Sequence, residues 1–100
     1  SYTVSLALYA ARNFYTVHRE FPGGKGFADL VFIPRKKFSE KPALVVELKW
    51  DKTARGAITQ IKEKEYCRSL EEYHGNLLLV GINYDRKTRE HTCRIEEMER

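Results

Sequence analysis

Residues 24–50, GKGFADLVFIPRKKFSEKPALVVELKW, contain two runs rich in Val, Leu, Ile and Phe on either side of a polar loop with a proline at each end. Each run has the composition of a buried β-strand, and the loop has the composition of a turn. The pattern predicts an antiparallel hairpin centred near Phe38. In such a hairpin Asp29 lies directly opposite Glu47, with Cβ atoms about 4.5–5.5 Å apart. Both acids then lie in strands that otherwise exclude charge.

The facing acids and a nearby lysine form the pattern of a metal-dependent phosphodiesterase centre. Two facing carboxylates repel each other, so removing one is expected to stabilise the metal-free protein. A divalent cation, Mg²⁺ or Mn²⁺, reverses that effect because carboxylate oxygens are its preferred ligands. We predict Asp29, Glu47 and the backbone carbonyl of Leu48 as metal ligands. Lys49 lies on the same face as Glu47, about 6.6–6.8 Å along the strand, where its ammonium can stabilise charge developing on a phosphate.

The rest of the chain alternates between helical and strand-like patterns. The predicted order is α-β-β-β-α-β-β, with helices at residues 2–12 and 54–73 and strands at 14–21, 27–33, 43–50, 76–84 and 91–98. Thr53 is the expected N-cap of the second helix. A helix between the third and fourth strands usually makes those strands parallel. The predicted fold class is therefore α/β, as a mixed α+β sheet flanked by helices, with the final strand at an edge.

Composition bounds the kind of protein. One hundred residues can bury a core of their own, and residues 1–100 are expected to form one domain. The net charge of +4 is a mild bias towards polyanions such as nucleic acid. Cys67 and Cys93 lack metal-ligand spacing, which is typical of reduced thiols in a cytoplasmic protein. No apolar stretch approaches the roughly 20 residues that cross a bilayer, so no membrane association is expected.

The strand order, with Asp29 on the second strand and Glu47 and Lys49 on the third, resembles the PD-(D/E)xK nuclease superfamily. The runs GKGFADLVFIP, KPALVVELKW, AITQIKEKEY and LLLVGINYDRKTREHTCRIE look similar to the nuclease-like domain at the C-terminus of bacterial AAA-ATPase-like proteins. The resemblance implies a restriction-endonuclease-like core, a C-terminal fragment of a longer protein, and an attached ATPase domain as partner. It also implies that Asp29, Glu47 and Lys49 are catalytic, with Gln60 as a fourth catalytic residue on the helix beside them. The alternative for Gln60 is an exposed polar residue of that helix.

Three further residues are candidate nucleic-acid contacts. Lys25 lies in a glycine-rich turn at the same end of the sheet as Asp29, Lys64 follows Gln60 by one helical turn, and Tyr66 matches a downstream tyrosine of the resembling family. The alternatives are a flexible turn, a solvated lysine and a core aromatic residue. Glu20 could add a third carboxylate if the first strand aligns suitably.

The resemblance departs from the superfamily pattern at two places. Ala28 stands where many members have proline before the aspartate. Many members also carry a glutamate on the first helix as a further ligand, and residues 1–12 contain none.

Two functions from different classes stay open on this evidence. The first is a Mg²⁺- or Mn²⁺-dependent nuclease that hydrolyses phosphodiester bonds, with DNA as the expected substrate. The second is a catalytically inactive nuclease-fold module that binds nucleic acid or a protein partner for the attached ATPase. A structural salt-bridge cluster is the corresponding alternative for the two acids and the lysine.

Overall fold

The computed structural model describes residues 11–23, 26–63, 70 and 76–97. Most of the predicted first helix lies outside these residues, and so does the part of the second helix that follows residue 63. The described elements agree with the predicted order. They are β1 (Tyr15–Gly23), β2 (Gly26–Pro34), a 3₁₀ turn (Lys36–Phe38), β3 (Ala43–Trp50), α1 (Ala54–Glu63), β4 (Leu77–Tyr84) and β5 (His91–Glu97).

The five strands form one mixed sheet in the order β1-β2-β3-β4-β5. Neighbouring strands are antiparallel except for β3 and β4, which are parallel and are connected through α1. This arrangement follows from the connections: short turns join antiparallel strands, whereas a helical crossover returns the chain in the same direction. The predicted mixed α+β sheet is confirmed, as is the position of β5 at an edge.

Hydrophobic side chains fill both faces of the sheet. Helix α1 packs on one face, called here the α1 face, through Ala57, Ile58 and Ile61. The strand residues buried under it alternate along each strand, as a two-residue period requires. The opposite face has a second cluster. The α1-face cluster contains Val31, Ala43, Val45, Leu70, Leu77 and Leu79 in addition to the helix residues, and the opposite cluster is built on Leu30, Phe32 and Val46.

The α1 face changes from apolar to polar along β3. Ala43 and Val45 are fully buried in the core, and the next two residues on the same face are Glu47 and Lys49. The same change occurs on β4, where leucines give way to Gly81 and Asn83. The polar half of the face therefore lies at the carboxyl ends of β3 and β4.

Helix α1 begins directly above this polar half. Its first turn is capped as predicted, because the Thr53 hydroxyl accepts the backbone N–H of Gly56 at 2.8 Å. A side chain at Gly81 of β4 would collide with the carbonyl oxygen of Ala54 and crowd Ala57 Cβ at 3.0 Å. Glycine at position 81 thus allows the helix to approach the sheet closely.

Candidate active site

The pairing between β2 and β3 ends next to Asp29. It joins Leu30 to Val46, Val31 to Val45, and Phe32 to Leu44, a register centred on Phe38 as the sequence predicted. One further step of this register places Asp29 opposite Glu47. At that step the backbone N–H of Leu48 donates to Oδ2 of Asp29 at 2.7 Å. The Asp29 carboxylate thus accepts the hydrogen bond that a backbone carbonyl of β2 would accept if the pairing with β3 continued.

The backbone of Leu48 is oriented towards the same gap. In an extended strand the N–H and C=O groups of one residue point to the same side, as the paired bonds of an antiparallel ladder require. The N–H of Leu48 faces Asp29 on β2, so its carbonyl oxygen also faces β2. The predicted ligand carbonyl is therefore directed to the side where Asp29 lies.

Glu47 places a carboxylate inside the domain. The residue is only 3% exposed and follows Ala43 and Val45 on the α1 face. It does interact with its surroundings, while its Oε2 atom is buried and accepts no hydrogen bond from the described residues. A buried carboxylate is costly unless cationic or hydrogen-bonding groups compensate it. Divalent cations supply such compensation for facing carboxylates.

Lys49 follows Glu47 on the same face and is half-buried. Its neighbour on β4 is Asn83, the next residue beyond Ile82 in the parallel register. The lysine therefore lies two residues beyond Glu47 on β3, at the polar end of the sheet. The predicted grouping of Asp29, Glu47 and Lys49 on one face is consistent with this register.

Gln60 lies on the flank of α1 that faces away from β5. Lys62 marks the other flank, because its Nζ contacts Oε1 of Glu96 on β5 at 3.0 Å. Two residues correspond to about 160° around a helix of 3.6 residues per turn. Gln60 is half-buried, and its flank is the one on the side of β3 and β2. This orientation suits the role predicted for it beside the acids.

A buried amide that the sequence analysis did not single out orders the loop after β3. Asn83 is 6% exposed, and its Oδ1 accepts the backbone N–H of Lys52 at 2.9 Å. Asp51, which has a left-handed φ of 55°, donates its N–H to the carbonyl of Tyr84 at 2.9 Å. Its Oδ1 accepts the N–H of Arg86 at 2.8 Å. The available signal was an asparagine inside the strongly apolar run NLLLVGINY.

The remaining predicted positions divide into two groups. Lys25, Lys64 and Tyr66 lie outside the described residues, so their proposed nucleic-acid contacts stay predictions. The backbone of β1 pairs Arg19 with Leu30 and Phe21 with Ala28. Position 20 therefore lies in the register opposite Asp29, which is the alignment that a third carboxylate from Glu20 requires.

Among the described side chains, the register brings two acids, Asp29 and Glu47, to the candidate site. No group of three or more His, Cys, Asp or Glu residues within the described part of the chain is arranged to hold a metal ion. The donor set predicted there is Asp29, Glu47 and the carbonyl of Leu48. An all-oxygen set of this kind suits Mg²⁺ or Mn²⁺, which complete their coordination with water and substrate oxygens.

Comparison with known proteins identifies the family. The sequence model described as the PD-(D/E)XK nuclease superfamily matches residues 1–93. The chain belongs to the PD-(D/E)XK nuclease superfamily. Neither a curated protein nor a solved structure gives a match to the chain.

Membership in this superfamily relates the fold of the chain to nuclease chemistry. PD-(D/E)XK nucleases generally use divalent metals, and a nuclease family implies binding to nucleic acid. The mixed five-stranded sheet with its helix is consistent with the restriction-endonuclease-like fold of this superfamily. Within the described part of this PD-(D/E)XK domain, no helix is both long and apolar enough to cross a bilayer.

Proposed function

We propose that this domain is a metal-dependent nuclease that hydrolyses phosphodiester bonds in DNA. The observation that carries the proposal is the contact of the Asp29 carboxylate with the N–H of Leu48 where β2 leaves β3. This contact fixes Asp29 at the gap between β2 and β3. Glu47 and the carbonyl of Leu48 border the same gap. The superfamily match supports nuclease chemistry at that gap.

The metal would be Mg²⁺ or Mn²⁺, held by Asp29, Glu47 and the carbonyl of Leu48. When bound, it would polarise the phosphoryl group and make a water molecule more acidic. Asp29 keeps its Oδ2 directed by the Leu48 N–H, which leaves Oδ1 as the better-placed donor. The burial of Glu47 keeps bulk water away from its carboxylate and so strengthens its attraction for a cation.

Lys49 and Gln60 would act on the substrate. The Lys49 ammonium would stabilise the negative charge that accumulates on the phosphate oxygens as water attacks. Gln60 would hold the attacking water or a phosphate oxygen by hydrogen bonds from the flank of α1 that faces β3 and β2. Lys25, Lys64 and Tyr66 are proposed as further contacts to the nucleic-acid strand.

An assay on supercoiled plasmid and on single-stranded DNA tests this function. We expect cutting by the wild-type chain in Mg²⁺ or Mn²⁺, no cutting in EDTA, and loss of cutting in Glu47→Gln, which keeps the shape of the side chain but removes its charge. Circular dichroism of Glu47→Gln controls for folding. A folded wild-type protein that binds DNA but does not cut it in either metal would instead indicate the non-catalytic module.

The cellular setting belongs to the same proposal. The resemblance to domains at the C-terminus of bacterial AAA-ATPase-like proteins supports an attached ATPase as partner. The exposed thiol of Cys93 suits a reducing compartment such as the cytoplasm. If the ATPase partnership holds, ATP hydrolysis by the full-length protein should respond to the DNA that this domain binds.

A further inference from the structure

A cleft with a volume of about 500 Å³ lies beside the candidate active site. It lies between the start of α1 on one side and β5 with the β4–β5 turn on the other. Most of the residues that line it are polar or charged. Lys52, Thr53 and Arg55 line the α1 side of the cleft, and Asp85, Thr92 and Arg94 line the opposite side.

The register of the sheet gives the position of this cleft relative to the acids. Glu47 on β3 pairs with Gly81 on β4, and Gly81 pairs with Arg94 on β5. Two strand spacings of about 4.7–4.9 Å therefore separate Glu47 from Arg94. The start of α1 lies over Gly81 between them. The cleft and the acid pair thus lie on opposite flanks of the helix start, with about 10 Å between the backbones of Glu47 and Arg94.

Charge is distributed unevenly within the cleft. The wall formed by the β3–α1 loop and the first turn of α1 carries Lys52 and Arg55, and that turn contains no acidic residue. The acids are on the opposite wall, where Asp85 is engaged within its own turn by accepting the N–H of Lys87 at 2.8 Å. Arg94 is held by Glu96 at 2.9 Å. The wall nearest the active site is therefore the positive one.

The loop that presents Lys52 is held in place before any ligand binds. Its own N–H is bonded to the buried Asn83, and the preceding residue, Asp51, is fixed by Tyr84 and Arg86. A cation on a preorganised loop loses less entropy when it binds an anion than one on a mobile loop. Asn83 also adjoins Lys49 in the parallel register. Lys52 therefore lies on the side of the cleft that is nearer the acid pair.

We propose that this cleft is a phosphate-binding subsite, with Lys52 and Arg55 as its principal contacts, which holds the nucleic-acid strand next to the bond that is cut. The inference rests on the proposed nuclease function and deepens it. A duplex strand carries a phosphate about every 3.4 Å along its axis. Because neighbouring phosphates of one strand lie farther apart in space than this axial spacing, a separation of about 10 Å corresponds to at most about three nucleotide steps from the scissile phosphate. Thr53 and Thr92 supply hydroxyls that can donate to the same phosphate.

The test compares two pairs of charge removals. Lys52→Gln with Arg55→Gln removes the positive wall. Lys36→Gln with Lys37→Gln removes the same charge from the exposed 3₁₀ turn that precedes β3, about 20 Å or more along the strand from the cleft. Binding of a fluorescently labelled DNA duplex and of its single strand is measured by anisotropy across a series of salt concentrations. EDTA is present, so hydrolysis and metal contacts do not contribute.

We expect the cleft variant to bind about tenfold or more weakly at low salt. We also expect its slope of log K against log salt to fall by about 0.9 on duplex and about 0.7 on single strand, as loss of one phosphate contact requires. The turn variant should keep the wild-type slope. Equal losses in the two variants would show an effect of net charge alone and would overturn the subsite, as would an unchanged slope in the cleft variant.

The test of the proposed nuclease activity is separable from the test of the phosphate subsite. If the wild type binds DNA but does not cut it in Mg²⁺ or Mn²⁺, the hydrolytic function fails, and the slopes in EDTA still decide the subsite. If the wild type cuts DNA and the cleft variant keeps the wild-type slope, only the subsite fails. If the wild type does not bind DNA at all, both proposals are overturned.

Discussion

Oδ2 of Asp29 accepts the backbone N–H of Leu48 at 2.7 Å, at the point where the pairing between β2 and β3 ends. An acidic side chain thus terminates a β-ladder and also faces the gap that the termination leaves. The contact changes one expectation from the sequence, namely that removing Asp29 stabilises the metal-free protein by relieving repulsion from Glu47. The aspartate also has a structural donor, so its removal affects the fold as well as the site.

Asp29→Ala should therefore be less stable than the wild type in EDTA, by about 1.5–3 kcal/mol, because a charge-assisted hydrogen bond is lost and the Leu48 N–H loses its acceptor. Asp29→Asn should be more stable than Asp29→Ala, since its side-chain carbonyl can still accept that N–H while the repulsion from Glu47 is removed. Urea unfolding of the three proteins measures both differences. An Asp29→Ala protein that is more stable than the wild type would show that repulsion is the larger effect.

Lys49→Ala should reduce cutting by about 10²–10³-fold, the usual effect of losing one group that stabilises charge in the transition state. Metal binding should persist, because the proposed ligands are unchanged. Titration of Mg²⁺ followed through the amide resonances of residues 29 and 47–49 measures that binding. Lys37→Ala, at the opposite end of β3, is the control and should cut normally. Full activity in Lys49→Ala would remove the role assigned to the lysine.

Gly81→Ala should destabilise the domain by about 1–3 kcal/mol, because the added methyl group overpacks the contact between β4 and the start of α1. Cutting should also fall, since α1 carries Gln60 and would have to shift. Thermal unfolding and the plasmid assay measure the two effects. Thr59→Ala, an exposed position on the same helix, is the control and should change stability by less than about 0.5 kcal/mol. A Gly81→Ala protein with unchanged stability would show that the close approach is not required.

The ion pairs of Glu96 should give a small dependence of stability on acidic pH. The hydrogen bonds from Arg94 and Lys62 lower the pKa of the Glu96 carboxyl below its ordinary value of 4.5. A carboxyl whose pKa is depressed by folding stabilises the protein above its unfolded-state pKa, and this contribution is lost as pH falls through the folded-state value. The free-energy difference between wild type and Glu96→Gln should thus be constant above about pH 4.5 and shrink below it. Urea unfolding at a series of pH values measures the difference, and a difference that grew on acidification would contradict the assignment.

Much of the site could be predicted from local pattern because β-structure is regular. The two apolar runs and the polar loop centred on Phe38 set the hairpin register, and that register sets which acids face each other. Alternation along β3 then places Glu47 and Lys49 on one face. The cap at Thr53 and the helix that follows it depend on residues only a few positions apart. Each of these features is short-range along the chain or follows from the two-residue period.

Other parts of the site could not be predicted in this way. The sequence does not show that the ladder stops before Asp29, because that depends on how far β2 twists away from β3 while it stays paired with β1. Nor does it show that Asn83 is bonded to Lys52, a contact between residues 31 positions apart. The cleft depends on the distance between α1 and β5. Gly81 lets the helix approach the sheet, and the packing of Ile58 and Ile61 sets its position.

By itself, the sequence determined the order of strands, the hairpin register and the identity of the acids and the lysine, because these follow from periodicity and turn chemistry. The tertiary structure decided where the ladder ends, which backbone group Asp29 binds and where a positive wall adjoins the acids. These depend on distances between elements that are remote in the chain, and such distances are set only when the helix and all five strands pack together.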